Sequence, residues 1–431
     1  MAVGMTFKDI SAVLAEINKA ATGQEPTSDI INTSSFVSVA EATMRTGYDN
    51  LLNAISQVFT RTIFAVRPYR AQMLGLEKDG TAWGNHVRKI NYFDSDPIKD
   101  TTYSLPPSGS VGTESSGTSV DPWIIGKPKV LQTNYYGQSN YSRMYTRGLI
   151  QLNSAFQGPD QLAEFWSGMG THMANQIEQD RENLARLLVV NRMAGTPSTS
   201  PSSVIYLLDE YNAETGLELT ATTVFQPSNF PDFARFAFAR INDVSDMLRA
   251  RTIKWHQNWV INTVKYNFMR HTPYDRQHLY LSSRLQRQIG ARVLADTFNS
   301  GMLQYRDMEL VPYWQTPDER ETVQVRPVTA TTAGAAQDMA TNVGLANIVG
   351  VLFDDDAIGY TPIDSQVLAT PVNARSRYIN FWYHYGWRWF NDFTENSVLF
   401  LLTSADVTAP AAVAAASLKS TSVKEPAPTA K

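Results

Sequence analysis

The side chains that could do chemistry in this chain are scattered. Six histidines stand at His86, His172, His256, His271, His278 and His384. No two are spaced four apart, as a helical pair of metal ligands would be. Each therefore reads as a hydrogen-bonded structural or surface histidine. Asp354-Asp355-Asp356 offers hard oxygen ligands for a cation. No calcium-loop spacing surrounds it, and it reads as an acidic turn after an apolar strand. Asp180, Glu182, Asp232 and Glu309 are carboxylates near aromatic residues, the material of a glycosidase pair, but nothing in their placement converges on one site. Gly168-Met169-Gly170 holds two of the three glycines of a dinucleotide fingerprint. The third position is Met173, and the segment sits in a helical pattern rather than after a strand, so its small residues read as close helix packing. Arg186, Arg192, Arg240, Arg249 and Arg251 could touch phosphate, and at helix positions they read as a solvated face. The chain has no cysteine, which excludes disulfides, thiolate metal sites and cysteine catalysis. No catalytic residue, metal or cofactor is expected.

The elements that must position these residues are clearest near the C-terminus. From Tyr378 the chain reads Y-I-N-F-W-Y-H-Y-G-W-R-W-F. Ile379, Phe381, Tyr383, Tyr385, Trp387 and Trp389 fall on alternate positions, the mark of a strand with one buried face. Trp382 points the other way and is open to either a packing or a stacking role. Asn391-Asp392 offers a turn, and Val398–Leu402 is a short apolar run suited to a second, more buried strand. Trp387 and Trp389 could stack sugars or bases, but their neighbours on that face are apolar, so a packing core is expected.

Length and composition narrow the class. The 431 residues are 43% hydrophobic, 11% aromatic and 18% charged. That is enough for two or three domains, with less charge than the usual quarter, which suits a surface partly covered by other subunits. A net charge of −4 argues against a dedicated nucleic-acid binder, which carries a basic patch or stripe. Lys8, Asp9, Glu16 and Lys19 interrupt the N-terminal residues, so no signal-peptide core is read there. No apolar stretch approaches bilayer length. A cytosol-like place of synthesis and no membrane partner are expected.

Along the chain, residues 1–40 read as an arm with a short amphipathic helix at Ile10–Ile17 and turn formers from Gly23 to Ser35. Residues 41–60 read as a helix and Arg61–Val66 as a strand. Trp83–Phe93 and Val130–Leu152 read as extended arms. Between them Ser104–Val120 is rich in Gly, Ser, Thr and Pro and is expected to be mobile on its own. Together they describe a projecting hairpin, long enough to be functional. Residues 159–193 carry apolar positions three or four apart, with a Glu182–Arg186 pair at i,i+4, and Gly195-Thr196-Pro197 is expected to end this long helix. Residues 197–229 read as loop and short strand, 231 onward as a helix, Trp259–Ile261 as a strand and Tyr280–Phe298 as a helix. Met308–Tyr313 and Ile348–Phe353 read as strands, with a polar loop from Thr316 to Asn342 between them. From Asp406 on, Ala, Pro, Ser, Thr and Lys dominate and a disordered tail is read. The pattern is mixed α+β with no βα repeat.

In that order, with Phe353–Tyr360, Val372–Arg375, Tyr378–Phe390 and Asn396–Phe400 as its closing segment, the chain resembles the major capsid proteins of tailed bacteriophages of podophage type, with the Hong Kong 97 fold. The resemblance covers roughly residues 40–404. It implies an α+β fold with an N-arm (1–40), a peripheral domain (41–67, 156–229 and 366–405) carrying the spine helix, an E-loop hairpin (68–155), an axial domain (230–365) and a disordered tail (406–431). It implies a non-enzymatic subunit that self-assembles as hexamers and pentamers into an icosahedral shell around double-stranded DNA, made in the host cytoplasm and located in the virion capsid. Pro106, Gly112, Ser116, Trp123 and Tyr135 would touch a neighbouring subunit. Arg181 and Arg192 on the spine helix would touch the packaged DNA weakly, or instead pair with Asp180 or Glu178. A separate scaffolding protein, a portal and a possible decoration protein are the implied partners. Some relatives cross-link a loop lysine, but nothing marks Lys78, Lys99, Lys127 or Lys129 for that chemistry. The other readings are an encapsulin-like cellular compartment shell and a carbohydrate-active enzyme.

Overall fold

The computed structural model describes residues 7–26, 30, 32–46, 54, 70–78, 86–92, 130–148, 159–261, 264–266, 269–292, 308–332, 335–339 and 342–408. The expected strand at Arg61–Val66, residues 47–53 and 55–60 of the expected helix at 41–60, the Gly/Ser-rich tip and the tail from residue 409 lie outside them.

In chain order the helices are α1 (Phe7–Thr22), α2 (Thr33–Met44), α3 (Pro159–Thr199), α4 (Leu207–Thr215), α5 (Phe230–Leu248) and α6 (Ser283–Arg292). The strands are β1 (Val87–Tyr92), β2 (Val130–Tyr135), β3 (Gly137–Gly148), β4 (Val204–Tyr206), β5 (Trp259–Ile261), β6 (Val264–Tyr266), β7 (Gln277–Ser282), β8 (Met308–Val311), β9 (Val323–Val325), β10 (Val328–Thr332), β11 (Ala335–Asp338), β12 (Val343–Leu345), β13 (Ile348–Asp354), β14 (Ile358–Ala369), β15 (Tyr378–Asn391), β16 (Ser397–Leu401) and β17 (Val407–Thr408).

The centre is a five-stranded sheet ordered β4-β16-β13-β7-β8, and both its faces are covered. Leu399, Leu401, Val351, Phe353 and Tyr280 face one core, shared with α1, α2 and α3. Val398, Phe400, Leu352, Leu279 and Leu281 face a second core, built on α4 and α5. Burial on both faces explains why Val398–Leu402 reads as an unbroken apolar run rather than an alternating one. It also explains the strand at Gln277–Ser282, where a helix from Tyr280 was expected. Leu279, Tyr280 and Leu281 are consecutive buried residues, a pattern that periodicity alone does not assign to strand or helix. The helix begins only at Ser283.

A second sheet, β14-β15-β3, carries the aromatic strand. The alternation holds: Ile379, Phe381, Tyr383, Tyr385 and Trp387 are buried, while Trp382 is half-buried on the other face. Trp389 is only half-buried, because it sits at the sheet's rim. The aromatic strand does not pair with the Val398–Leu402 strand that follows it. The turn after β15 carries the chain from one sheet to the other, and β15 pairs instead with β14 and, along its whole length, with β3 (Tyr378↔Gly148 to Trp389↔Gly137). Gly137 is glycine because a Cβ there would overlap the Trp389 backbone and ring.

Four further expectations change. Helix α2 starts within the segment read as turns. Asn32 accepts from the Ser35 amide (2.9 Å) while Ser35 Oγ accepts from the Asn32 amide (3.0 Å), so this Asn/Ser/Thr run is a helix cap. Helix α3 does not stop at Gly195 but continues to Thr199 with Pro197 in its last turn. Gly195 serves packing: a Cβ would overlap the Phe393 ring. Residues 207–215 form α4, ended by Gly216 in the left-handed region (φ 72°). The polar loop 316–342 contains β9, β10 and β11.

Candidate functional site

The turn between the two main sheets gathers a buried charge cluster. After β15, Asp392 caps its own turn, accepting from the Thr394 amide (2.9 Å) and hydroxyl (2.7 Å). Arg192 of α3, 1% exposed, donates to the carbonyls of Asp392 and Glu395, both at 2.6 Å. Lys89 of β1 reaches Asp392 (2.7 Å) and Glu395 (2.5 Å). Arg270 pairs with Glu395 (3.2 Å) and donates to Asn91 Oδ1 of β1 (2.8 Å). The Tyr135 hydroxyl of β2 is buried near Asp392, and burial, followed by the Asp392 charge, pushes its pKa up. The β1–β2 ribbon, whose antiparallel register runs Val87↔Tyr135 to Tyr92↔Val130, is thus held at its inner face to the turn and to Arg270, and Arg192 ties the same turn to the long helix.

A second set of bonds holds the segment leading into the ribbon. The amides of Ala71, Gln72 and Met73 donate to Glu178 (3.1 Å), Glu182 (3.4 Å) and Glu309 (2.6 Å). Met73 has φ 59°, a left-handed conformation that a non-glycine residue adopts only where surroundings impose it. Glu77 pairs with Arg181, whose Nε donates to the Tyr360 hydroxyl at 3.1 Å. Lys78 pairs with Asp355, which also takes His278 at 2.8 Å.

These contacts settle several candidates. The acidic triplet is a turn with each carboxylate taken up internally: Asp354 by Thr272 (2.8 Å), Asp355 by Lys78 and His278, Asp356 by Arg276. Glu182 and Glu309 hold backbone amides rather than facing each other across a cleft. Arg181 and Arg192 are buried and bonded within the chain, so in this fold neither guanidinium faces a DNA phosphate. Arg181 does pair with Glu178 (3.3 Å), the other option named for it, but inside one chain. Tyr135, expected at a subunit contact, is 4% exposed, because its strand presents it to the turn. Pro106, Gly112, Ser116 and Trp123 lie outside the described residues, as do Lys99, Lys127 and Lys129. The residues that sequence reasoning missed are Lys89, Arg270, Asp392 and Glu395. The Asp392-x-Thr394 spacing of a self-capped turn was the one available pointer.

Electrostatics give the cluster a direction. Burial pushes the Arg192 guanidinium down to about 10 against the pull of Asp392 and Glu395, so it stays charged. Burial alone would raise Asp392, but Lys89 and Thr394 outweigh it and hold the carboxyl well below the usual range. Glu395 is raised by burial and by the Asp392 charge, which Lys89 and Arg270 only partly offset. Asp355 is held low by the His278 and Lys78 bonds against its own partial burial. For Asp392 and Asp355 the unfolded chain binds protons more readily, so their contribution is complete above the unfolded value near 3.9 and is lost as pH falls toward the folded one. Glu395 acts in the opposite sense, favouring the fold as it is protonated. Urea midpoints are expected to hold from neutral pH to about pH 4 and drop below it. Asp355→Asn should flatten that drop, and an unchanged acid limb in that variant would contradict the assignment.

Comparison with known proteins adds a family. Residues 32–401 match the family model of the Phi29-like phage major capsid proteins. No curated protein sequence matches significantly. Among solved structures the chain is similar to one from the capsid of Staphylococcus phage Andhra, at 11% identity over 78% of this chain and 85% of that one (TM-score 0.48). It is also similar to one from the mature capsid of bacteriophage PhiM1, at 9% identity over 78% and 88% (TM-score 0.37).

Proposed function

The chain belongs to the Phi29-like phage major capsid proteins, and from that membership we propose how its parts serve a shell. It is a structural subunit of a phage capsid, and its place is the virion capsid. The compartment-shell and carbohydrate-enzyme readings are not favoured. Among the described residues no helix is long and apolar enough to cross a membrane.

The proposed arrangement is of Hong Kong 97 type, with residues 68–155 as an E-loop laid across a neighbour, α3 as the spine helix and residues 230–365 as the axial domain. The observation that carries it is the two-sided character of the β1–β2 ribbon. Its inner face, with Lys89, Asn91, Thr133 and Tyr135, is tied to the body. Its outer face leaves Tyr92 at 71%, Ile90 at 48% and Val130 at 47% exposed. Tyr92 and Val130 are directly opposed in register, so these apolar side chains form one row that the described residues leave exposed. A rigidly anchored arm with an uncovered apolar face supports intersubunit contact, and heterologous contacts that close on rings build hexamers and pentamers.

Electron microscopy of the purified protein is expected to show closed shells. Deleting 104–119, or Tyr92→Asp, should leave folded subunits with stability changed by no more than about 0.5 kcal/mol that fail to assemble. Shells of normal form from both variants would sink the reading. We further assign a separate scaffolding protein, a portal and a possible decoration protein as partners, with synthesis in the host cytoplasm. Packaged double-stranded DNA is a weak partner. With net charge −4, filter binding by the free subunit should be poor, non-specific and steeply reduced by salt. Tight, sequence-selective binding that survives high salt would instead indicate a specific DNA-recognition protein.

A further inference from the structure

The chain separates its charges by region. Between Arg192 and Arg235 there is no Lys, Arg or His, while Asp209, Glu210, Glu214, Glu218 and Asp232 all fall there. Between Asp364 and Asp392 there is no carboxylate, while Arg375, Arg377, His384 and Arg388 fall there. Each stretch presents one exposed pair of like charges.

The acidic pair stands at the C-terminal end of α4. Glu214 and Glu218 are exposed, and Leu217 beside them is 46% exposed. Gly216 turns the chain out of the helix at this point, and the helix's carbonyl end adds negative potential. Asp209 is taken up by the Ser404 amide and Glu210 by Arg240. Glu214 and Glu218 have no cation partner among the described residues.

The basic pair stands on the loop 371–377 between β14 and β15. Asn373 Oδ1 accepts from the Arg375 amide (3.0 Å) and the Ser376 amide (3.1 Å), and the Asn373 carbonyl accepts from the Arg377 amide (2.8 Å). The loop is therefore a built turn. It holds Arg377 at φ 49°, a left-handed conformation that costs energy in a non-glycine residue. Arg375 and Arg377 are both exposed and have no carboxylate partner among the described residues.

The fold keeps the two pairs on different elements. The loop lies at the start of β15, roughly 40 Å along the strand from Asn391, where the chain crosses to the central sheet. Helix α4 is fixed to that central sheet, with the Leu208 amide donating to the Leu402 carbonyl (2.8 Å). Neither pair is neutralised in its own chain, and a chain that assembles with copies of itself can set one against the other. DNA phosphate would meet only the loop and leave the acidic pair unanswered.

We propose that the Arg375–Arg377 loop of one subunit docks on the Glu214–Glu218 end of α4 in a second copy, with Leu217 as the apolar centre of the contact. The pairing rests on the capsid-subunit reading. It joins two different surfaces, so it is a heterologous contact, of the kind that closes on a ring. Arginine suits it because its planar fork pairs with a carboxylate through two bonds.

The test compares the unaltered chain with three full-length variants: Arg375→Glu with Arg377→Glu, Glu214→Arg with Glu218→Arg, and all four changes together. Every substituted side chain is exposed, so urea midpoints are expected to stay at that of the unaltered chain. Shells of the unaltered chain test the subunit reading by itself. The two charge-reversed variants are expected to give at least about tenfold fewer shells in electron microscopy, because like charges then face each other. The combined variant is expected to recover most of the yield. An undiminished yield from either reversed variant would overturn the pairing, and so would a combined variant no better than those two. Normal shells from the loop variant together with a weaker salt dependence of DNA binding would overturn it and give the arginines to phosphate.

Discussion

Asp392→Ala should lower the stability of the free subunit by about 3–5 kcal/mol, the usual cost of removing one partner from a buried ion pair. The turn holds three cations, Lys89, Arg192 and Arg270, against two carboxylates, Asp392 and Glu395. Removing Asp392 leaves Glu395 alone to balance them, and Glu395 is already the weaker acid of the two. The same change strips the Thr394 amide and hydroxyl of their acceptor. The urea midpoint of the purified monomer gives the answer, since a change in midpoint at constant slope reads stability directly. A loss below about 1 kcal/mol would mean that water enters the turn and screens the charges. Lys89→Met should couple strongly to Asp392→Ala in a double-mutant cycle, because the two share one interaction. Loss of this cluster should also loosen the ribbon first, since Lys89 and Asn91 are its ties to the body.

How much of this was legible in the sequence depends on how local each feature is. The aromatic alternation in β15 was readable because one sheet face is buried and the side-chain period is two. The acidic triplet was readable as a turn because it follows an apolar strand directly. The strand's partners were not readable. β15 pairs with β3 about 240 residues upstream (Tyr385↔Tyr141), and nothing in either strand names the other. The Asn32–Ser35 cap was misread because the residues that cap helices are those that form turns. Lys89 and Asp392 lie about 300 residues apart, and a lone lysine in a strand reads as surface. Only the fold, by bringing β1 against the turn after β15, shows that this lysine has two acids beside it. The overlap of Gly195 with Phe393 was equally hidden, so a packing glycine read as a helix stop.

Trp387→Ala is expected to cost about 3–5 kcal/mol, the range for deleting a large buried aromatic, and Trp389→Ala roughly 1–2 kcal/mol, because a half-buried ring takes less area out of water. On the strand pattern alone the two tryptophans are equivalent. The structure separates them. Trp387 is 4% exposed, edge-on to Tyr385 at 5.4 Å and to Tyr141 at 5.7 Å. Its loss opens a cavity beside Tyr385, whose hydroxyl bonds to Asp180 of α3, so the contact between sheet and helix loosens with it. Trp389 lies over Gly137, donates its indole N–H to Ser139 Oγ at 3.2 Å and borders an open groove beside α3. Thermal and urea unfolding of the two single variants, measured side by side, test the ordering as well as the sizes. Equal losses would show that Trp389 is as deeply packed as Trp387. Unchanged stability in both, with loss of a sugar or nucleic-acid ligand, would make the aromatic strand a binding face rather than the inner wall of a shell subunit.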